Sequence, residues 1–342
     1  MVRYIVSHAH SRMSGALGAS TRAWLLLIFA SVFAAFARSL AHSHGIAGNR
    51  YFVGTLTFDD PSVADEAIVP DFSTLNHPVD GGNAVDDRFD WSFTRLLTPV
   101  LQVEIDDGWI HRNWPTTRSS GFAPTDVGIK SEIYRNNQHE MLVAAGALWG
   151  IGHSGAQTVG ADEPNSFQPG VFFGKGFGDL PDWLAWLRPF AVTGAFVDEL
   201  PFGTTTTALA PNATGKFQSV LVPTVETLHW GLSLQYSTYY LTSRFTGGPP
   251  KKEPLNQLVP LVEFSFDTPR GQNTAATMNP GLAYVAVTWQ LAAEVIVPLN
   301  RDGGTSTGIR AQLMFFLDDL IPSLFGKPLL SDKPDRSLIA WH

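Results

Sequence analysis

Charged side chains recur at every second position in several stretches of this chain, each time set against apolar neighbours. Arg88 and Asp90 alternate with Phe89 and Trp91. Glu104 and Asp106 alternate with Val103 and Ile105, and Lys130 and Glu132 follow Ile129 in the same way. Glu263, Glu294 and Arg310 complete the set. Charges that share one face of a closed sheet can ring a pore and select the ions or solutes that pass. The plainer reading is that they pair and brace a lumen. Hairpin arithmetic about Leu97–Thr98 predicts Arg88 opposite Asp106 and Asp90 opposite Glu104. About Asp302-Gly303 it predicts Glu294 opposite Arg310. A slip of one residue would break either pairing.

Other chemistry-bearing residues point less far. His42-Ser43-His44 would stand at a new N-terminus, where a terminal amine and two imidazoles bind Cu(II) or Ni(II); a frayed tail is the plainer reading. No other metal candidate, and no cofactor, is assigned. His139-Glu140 has Val143 where a helical zinc site needs its second histidine. Gly152-His153-Ser154-Gly155-Ala156 resembles a nucleophile elbow but ends in Ala rather than Gly. A lipid hydrolase built on Ser154 with His153 or His229 is the remotest alternative, and no catalytic residue is assigned. Gly174-Lys175-Gly176-Phe177-Gly178 lacks the spacing of a phosphate loop, so its glycines read as a strand kink or a close chain approach.

The elements that would position the alternating charges are strands. In Gly281–Leu317, Leu291, Ala293, Val295 and Val297 share a face against Gln290 and Glu294. After the RDGGT turn, Ile309, Ala311, Leu313, Phe315 and Leu317 share a face against Arg310 and Gln312. Period-two alternation marks a strand, and a tilted strand crosses a hydrocarbon layer in roughly 9–11 residues.

Composition and targeting fit a membrane barrel. The 342 residues contain no cysteine, and only 16% are charged against 12% aromatic. Residues 1–41 read as a signal peptide, with Arg3, Arg12, Arg22 and Arg38, an apolar core at Ala23–Ala37 and Ser39-Leu40-Ala41 before the cleavage point. An uncleaved anchor is the alternative. Cleavage would leave 19 basic and 31 acidic side chains, a net charge of −12, which argues against nucleic acid as a partner. No later apolar run is long enough for a helical span. A membrane crossing would therefore need a closed sheet, the other structure that satisfies its backbone in lipid.

Taken in order, residues 42–83 read as an N-terminal segment with a first strand at Tyr51–Phe58 and a plug or loop over Asp59–Pro70. The barrel proper is expected over 84–330, and 331–342 read as a tail. Eleven strands are legible from Asp87 onward. Tyr51–Phe58 supplies a twelfth, because long and short connections must alternate with both chain ends on one side. Arg or Lys facing lipid at mid-depth costs about 2–4 kcal/mol, so the charged face must look inward. In a soluble β-protein binding an apolar ligand, the second alternative, the faces would be reversed.

Two stretches carry a resemblance. One is His44-Gly45-Ile46-Ala47-Gly48-Asn49-Arg50-Tyr51-Phe52 with Leu56–Glu66. The other is Phe172-Phe173-Gly174-Lys175-Gly176-Phe177-Gly178-Asp179-Leu180-Pro181 with Leu187–Gly194. Both resemble uncharacterised proteobacterial envelope proteins, related to the transporter-like outer-membrane barrels named after the MetA pathway of phenol degradation. The resemblance implies a bacterial outer-membrane location. The expectation is an all-β, up-and-down antiparallel barrel of about 12 strands, non-enzymatic, passing an unknown small solute through a polar lumen. Its partners would be outer-membrane lipid and the outer-membrane assembly machinery. The chain departs from a plain terminal-strand ending: it finishes in His342, leaving Trp341 or the Phe315/Phe316 strand as the assembly signal.

Overall fold

The computed structural model describes residues 45–48, 50–79, 82–238, 240–241 and 257–330. The expected signal peptide, His42, His44, the stretch 247–254 (GGPPKKEP, which reads as a turn) and the tail 331–342 lie outside the described residues. The strands are β1 (Ile46–Ala47), β2 (Arg50–Tyr51), β3 (Glu66–Val79), β4 (Gly82–Thr98), β5 (Leu101–Asn113), β6 (Arg118–Phe122), β7 (Asp126–Asn136) and β8 (Met141–Gly150). They continue with β9 (Ser166–Gly176), β10 (Phe190–Pro201), β11 (Thr205–Pro211), β12 (Phe217–Pro223), β13 (Thr227–Tyr236), β14 (Leu258–Pro269), β15 (Ala275–Val285), β16 (Trp289–Pro298) and β17 (Ser306–Phe316). Short helices α1 (Leu317–Leu320) and α2 (Pro322–Phe325) follow.

Twelve strands close an antiparallel barrel in the order β3, β4, β5, β7, β8, β9, β10, β13, β14, β15, β16, β17 and back to β3. β6 pairs with the far end of β5, and β11–β12 form a separate hairpin in the β10–β13 connection. β3 begins, and β17 ends, at one rim, which we call the terminal rim. The other, the loop rim, carries the β5–β7, β8–β9 and β10–β13 connections. Among the described residues no helix is long and apolar enough to cross a membrane; the strands of a closed barrel cross it instead.

The faces sort by polarity as burying charge in hydrocarbon requires. On β4, Phe89, Trp91 and Phe93 point outward and are exposed, while Arg88 and Asp90 line the lumen. Leu291 and Val295 of β16 are exposed, and Gln290 and Glu294, each one residue before them, are buried. Aromatic rings stack across neighbouring strands on the outside: Trp230 lies 4.0 Å from Phe266 and 6.4 Å from Phe196, centroid to centroid. A soluble protein with its apolar face inward would show the reverse. This is a transmembrane barrel.

Three sequence expectations are corrected. First, Tyr51–Phe58 is not a wall strand. After the β1–β2 turn, residues 52–65 run inside the barrel, with Phe52, Val53, Leu56, Val63 and Ala64 all buried. Second, the twelfth wall strand is β3, in the stretch read as loop or plug. Its alternation is broken by Pro70, Pro78 and a register shift between Ile68 and Asp71, so no period-two signal survives. Third, the β4–β5 hairpin turns on Pro99 rather than Leu97–Thr98. The register pairs Ser92 with Asp106, Thr94 with Glu104, Arg88 with Ile110 and Asp90 with Gly108. Leu96 remains in the ladder opposite Gln102, and proline, which lacks an N–H, takes the turn. The β16–β17 register does place Glu294 opposite Arg310. The Thr/Pro/Asn-rich stretch Leu200–Gln218, which reads as a loop, runs into the β11–β12 hairpin, and Leu180–Leu187, which reads as a short helix, holds a 3-10 helix at Asp182–Leu187.

Candidate functional site

The site is the lumen, and its central feature is the inner segment 52–65. A chain inside a barrel has no adjoining strand to satisfy its backbone, yet buried N–H and C=O groups must be paired. Inward side chains of the wall provide the partners. Gln235 acts as a strand edge: its Oε1 accepts from Val53 N at 3.0 Å and its Nε2 donates to Val53 O at 3.0 Å. Gln290 Nε2 donates to Gly54 O at 3.1 Å, and Gln102 Oε1 accepts from Ala64 N at 2.9 Å. Glu263 accepts from Leu56 N at 3.2 and 3.3 Å and from Thr57 N at 2.9 Å. Arg310 donates to Leu56 O at 2.9 Å. The apolar side chains of Val53 and Leu56 pack on Val259, Leu261, Ala283 and Ala292.

The predicted charges divide between two tasks. Lys130, Glu263, Glu294 and Arg310 hold the inner segment. Lys130 Nζ donates to both oxygens of Asp59 at 2.8 and 2.6 Å and to Asp60 O at 3.1 Å. Glu294 Oε1 accepts from Thr57 Oγ1 at 3.3 Å and lies 3.6 Å from Arg310, whose Nε is 3.8 Å from Asp71. Glu132 pairs with Arg135, which in turn donates to Ile46 O. Arg88, Asp90, Glu104 and Asp106 remain on the wall of an open space. Arg88 and Asp90 form a bidentate pair at 3.0 and 3.0 Å within one strand rather than across the hairpin. Glu104 accepts from Gln102 Nε2 at 3.2 Å.

That open space is a cavity of about 400 Å³ between the inner segment and the loop rim. Thr55 to Asp60 form its floor, and Glu163, Pro164 and Gly303 stand at its mouth. Arg112, Asp126, Gln168 and His229 join the predicted charges on its wall. Arg112 binds both oxygens of Asp86 at 2.6 and 2.5 Å. His229 Nδ1 lies 2.5 Å from Asp267 and its Nε2 3.3 Å from Glu199.

At the terminal rim the inner segment is anchored to the β7–β8 and β9–β10 turns. Arg50 donates to Glu140 at 3.2 Å, to Pro189 O at 3.0 Å and to Arg188 O at 2.5 Å. Its guanidinium also sits 4.1 Å from the centroid of the Tyr240 ring. Gly174 leaves room for Phe52, since a Cβ there would come 3.0 Å from the ring. In the same turn, slight burial works to raise the Asp179 carboxyl. Hydrogen bonds from Lys175 at 2.9 Å and His139 at 2.9 Å override it and hold the group below its ordinary range.

The hydroxyl and imidazole considered for hydrolysis serve the loop rim. Ser154 Oγ donates to Ile151 O at 2.6 Å and accepts from Thr125 N at 2.9 Å. His153 Nδ1 contacts Asp162 at 2.7 Å. His229 lies in the lumen between its two carboxylates. Among the described residues no group of three or more His, Asp or Glu can hold a metal ion.

Alongside the predicted charges, the uncharged Gln102, Gln235 and Gln290 bind the backbone of the inner segment, and Asn279 donates to Thr57 Oγ1 at 2.9 Å. Their signal was present, since three of them alternate with apolar residues in legible strands. An uncharged amide on the inward face is the mark of a wall that must bind a backbone.

No protein-family model matches the chain, and no curated protein matches its sequence. Among solved structures, it is similar to an outer membrane channel from Pseudomonas putida F1, at 11% identity and a TM-score of 0.45, over 78% of this chain and 98% of that one. It is also similar to the KdgM porin, at 14% identity and a TM-score of 0.39, over 73% of this chain and 98% of that one. The translocator domain of the autotransporter NalP from Neisseria meningitidis matches at 12% identity and a TM-score of 0.39, over 86% and 95%.

Proposed function

We propose that this chain is an outer-membrane channel that passes a small solute between the loop rim, outside the cell, and the terminal rim in the periplasm. The observation that carries the reading is the combination of an apolar outer belt with a polar lumen holding a cavity of about 400 Å³. No reaction is needed. The solute enters the cavity, is screened by the wall charges and passes the inner segment 52–65, which is the constriction. Outer-membrane lipid and the assembly machinery are the partners this reading requires.

We further read the chain as one of the transporter-like barrels named after the MetA pathway. What supports this is that the two stretches carrying the resemblance meet in space. Arg50 of the first binds the carbonyls of Arg188 and Pro189 in the second, and Phe52 packs over Gly174. Residues joined in one anchoring contact are the ones a shared architecture would retain.

The test is conductance of the purified protein in planar bilayers, alongside gel mobility with and without boiling. Discrete conductance steps with a boiling-dependent shift are expected. A shift without conductance would sink the channel reading.

A further inference from the structure

Residues 317–330 follow the last wall strand. They leave β17 at the terminal rim, pass the start of β3 and end against β4. Leu317 N donates to Asp65 O at 2.8 Å at one end of this ribbon. At the other, Leu329 N and Leu330 N donate to Leu96 O at 3.1 Å and Leu97 O at 2.8 Å. The side chains the ribbon leaves uncovered are large and apolar. Leu320, Ile321, Leu324, Leu329 and Leu330 are all exposed, Leu324 at 66% and Leu330 at 73%. Lys327 is the one exposed charge among residues 317–330, and Asp318 is buried.

Two observations say what covers those leucines. The first is continuity with the lipid-facing belt. Phe93, exposed on the outside of β4, meets Phe325 edge to face at 6.1 Å between centroids. The ribbon is therefore packed on the belt, and its open side continues the belt at the rim. The second is Arg95, which follows Phe89, Trp91 and Phe93 in the outward parity of β4. Lipid leaves an outward guanidinium without partners, and the ribbon supplies them. Arg95 donates to the carbonyls of Leu324 at 3.0 Å, Lys327 at 2.9 Å and Phe325 at 3.5 Å, and to Asp65 at 2.6 Å. It also lies 5.0 Å from the centroid of the Phe325 ring. Water would satisfy a rim arginine without such an enclosure. The same rim carries Trp183 and Trp186, both exposed, on the β9–β10 turn, and tryptophan gathers at the headgroup level of a bilayer.

We propose that residues 317–330 are an interfacial anchor, lying in the headgroup boundary of the lipid leaflet at the terminal rim. The leucines enter the acyl chains, and Lys327 reaches the lipid phosphates. An apolar face beside a lysine suits an element that lies in the interface, and a lysine head reaches water and phosphate while its stem stays with the leucines. Bonded to Asp65, Leu96 and Leu97, the anchor also ties the ends of β17, β3 and β4 together from outside. The inference rests on the outer-membrane part of the function proposed above and is independent of solute passage.

The chain has no cysteine, so single sites can be labelled. Leu324→Cys and Leu330→Cys, each carrying a nitrobenzoxadiazole fluorophore, are folded as the full mature protein into vesicles of phosphatidylethanolamine and phosphatidylglycerol. The boiling-dependent mobility shift checks folding. Val295→Cys on the outer belt and Leu221→Cys beyond the loop rim are the references. Both ribbon labels should be quenched at least about twofold more by phospholipid spin-labelled near the headgroup than by phospholipid spin-labelled near the chain end, because an interfacial face sits roughly 5–10 Å into the headgroup boundary. Aqueous iodide on both sides of the vesicle should quench Leu221→Cys and spare the ribbon. Ribbon labels quenched by iodide and not by lipid, or quenched most by the deep spin label, overturn the proposal. So do labels that neither quencher reaches, since another part of the chain, residues 331–342 included, would then cover the leucines. Val295→Cys separates the two readings. Quenched by lipid while the ribbon is not, it sinks the anchor alone; spared by lipid, it sinks the membrane barrel on which the anchor rests. Where one ribbon variant fails to fold, the other still decides.

Discussion

At the scale of single residues, a charge in this lumen is defined by what it holds. Lys130 makes three contacts with the inner segment, two to Asp59 and one to Asp60 O. Replacing it with Met leaves Asp59 beside Glu104 and Asp106 without its counter-charge and removes the donor from Asp60 O. A hydrogen bond to a charged group contributes about 1.5–3 kcal/mol, and Asp59 is part-exposed to the cavity, which screens the pair. Lys130→Met should therefore destabilise by roughly 1–3 kcal/mol, read as a lower urea midpoint for loss of the boiling-sensitive form, and Lys130→Arg should recover part of it. No loss in Lys130→Met would mean that Asp59 is held by the segment's other bonds. The inward position of Lys130 was legible from alternation with Ile129, but its partner was not. Asp59 lies 71 residues away on a segment with no register to the wall, and nothing in local spacing encodes such a contact. Arg88 and Asp90 show the converse: two charges two apart on one strand share a face, and they pair with each other before they pair across the hairpin.

At the scale of elements, the inner segment reads as a strand because it alternates. It is a strand-like chain whose neighbours are side chains. Phe52 and Val53 are adjacent in sequence and both buried, which a wall strand with a lipid face could not show in the same way. Conversely, β3 pairs as a wall strand although Pro70 and Pro78 remove two donors and its register shifts near Asp71. Its pairing is imposed from both sides, by β4 and β17, rather than by its own pattern. If the inner segment is the constriction, excising residues 53–62 should enlarge the conductance several-fold while the wall still closes, because β3 starts only at Glu66. Anchoring by Arg50 at one end and Asp65 at the other would then be bypassed. Asp65 accepts from Leu96 N at 2.7 Å and from Arg95 at 2.6 Å. Conductance steps of the original size after excision would place the narrowest point elsewhere.

At the scale of the whole molecule, the strand number was legible because closure leaves little choice. An up-and-down barrel with both ends at one rim needs an even count, and alternating loop lengths locate the rims. The lumen's contents were not legible, since they depend on which residues a free segment happens to reach. The polarity of the two faces makes a prediction that belongs to this scale alone. Val295 on β16 and Leu221 on β12 are both exposed, at 42% and 72%. By exposure alone, both are surface positions where arginine should cost little. The barrel separates them. Val295 lies on the outer belt, within the span, where a charge meets hydrocarbon at about 2–4 kcal/mol. Leu221 lies on the hairpin beyond the loop rim, where surface changes stay within about 0.5 kcal/mol. Val295→Arg should cut the yield of boiling-sensitive protein on folding into lipid vesicles, and Leu221→Arg should leave it unchanged. Equal tolerance at both sites would mean that the apolar belt does not face lipid.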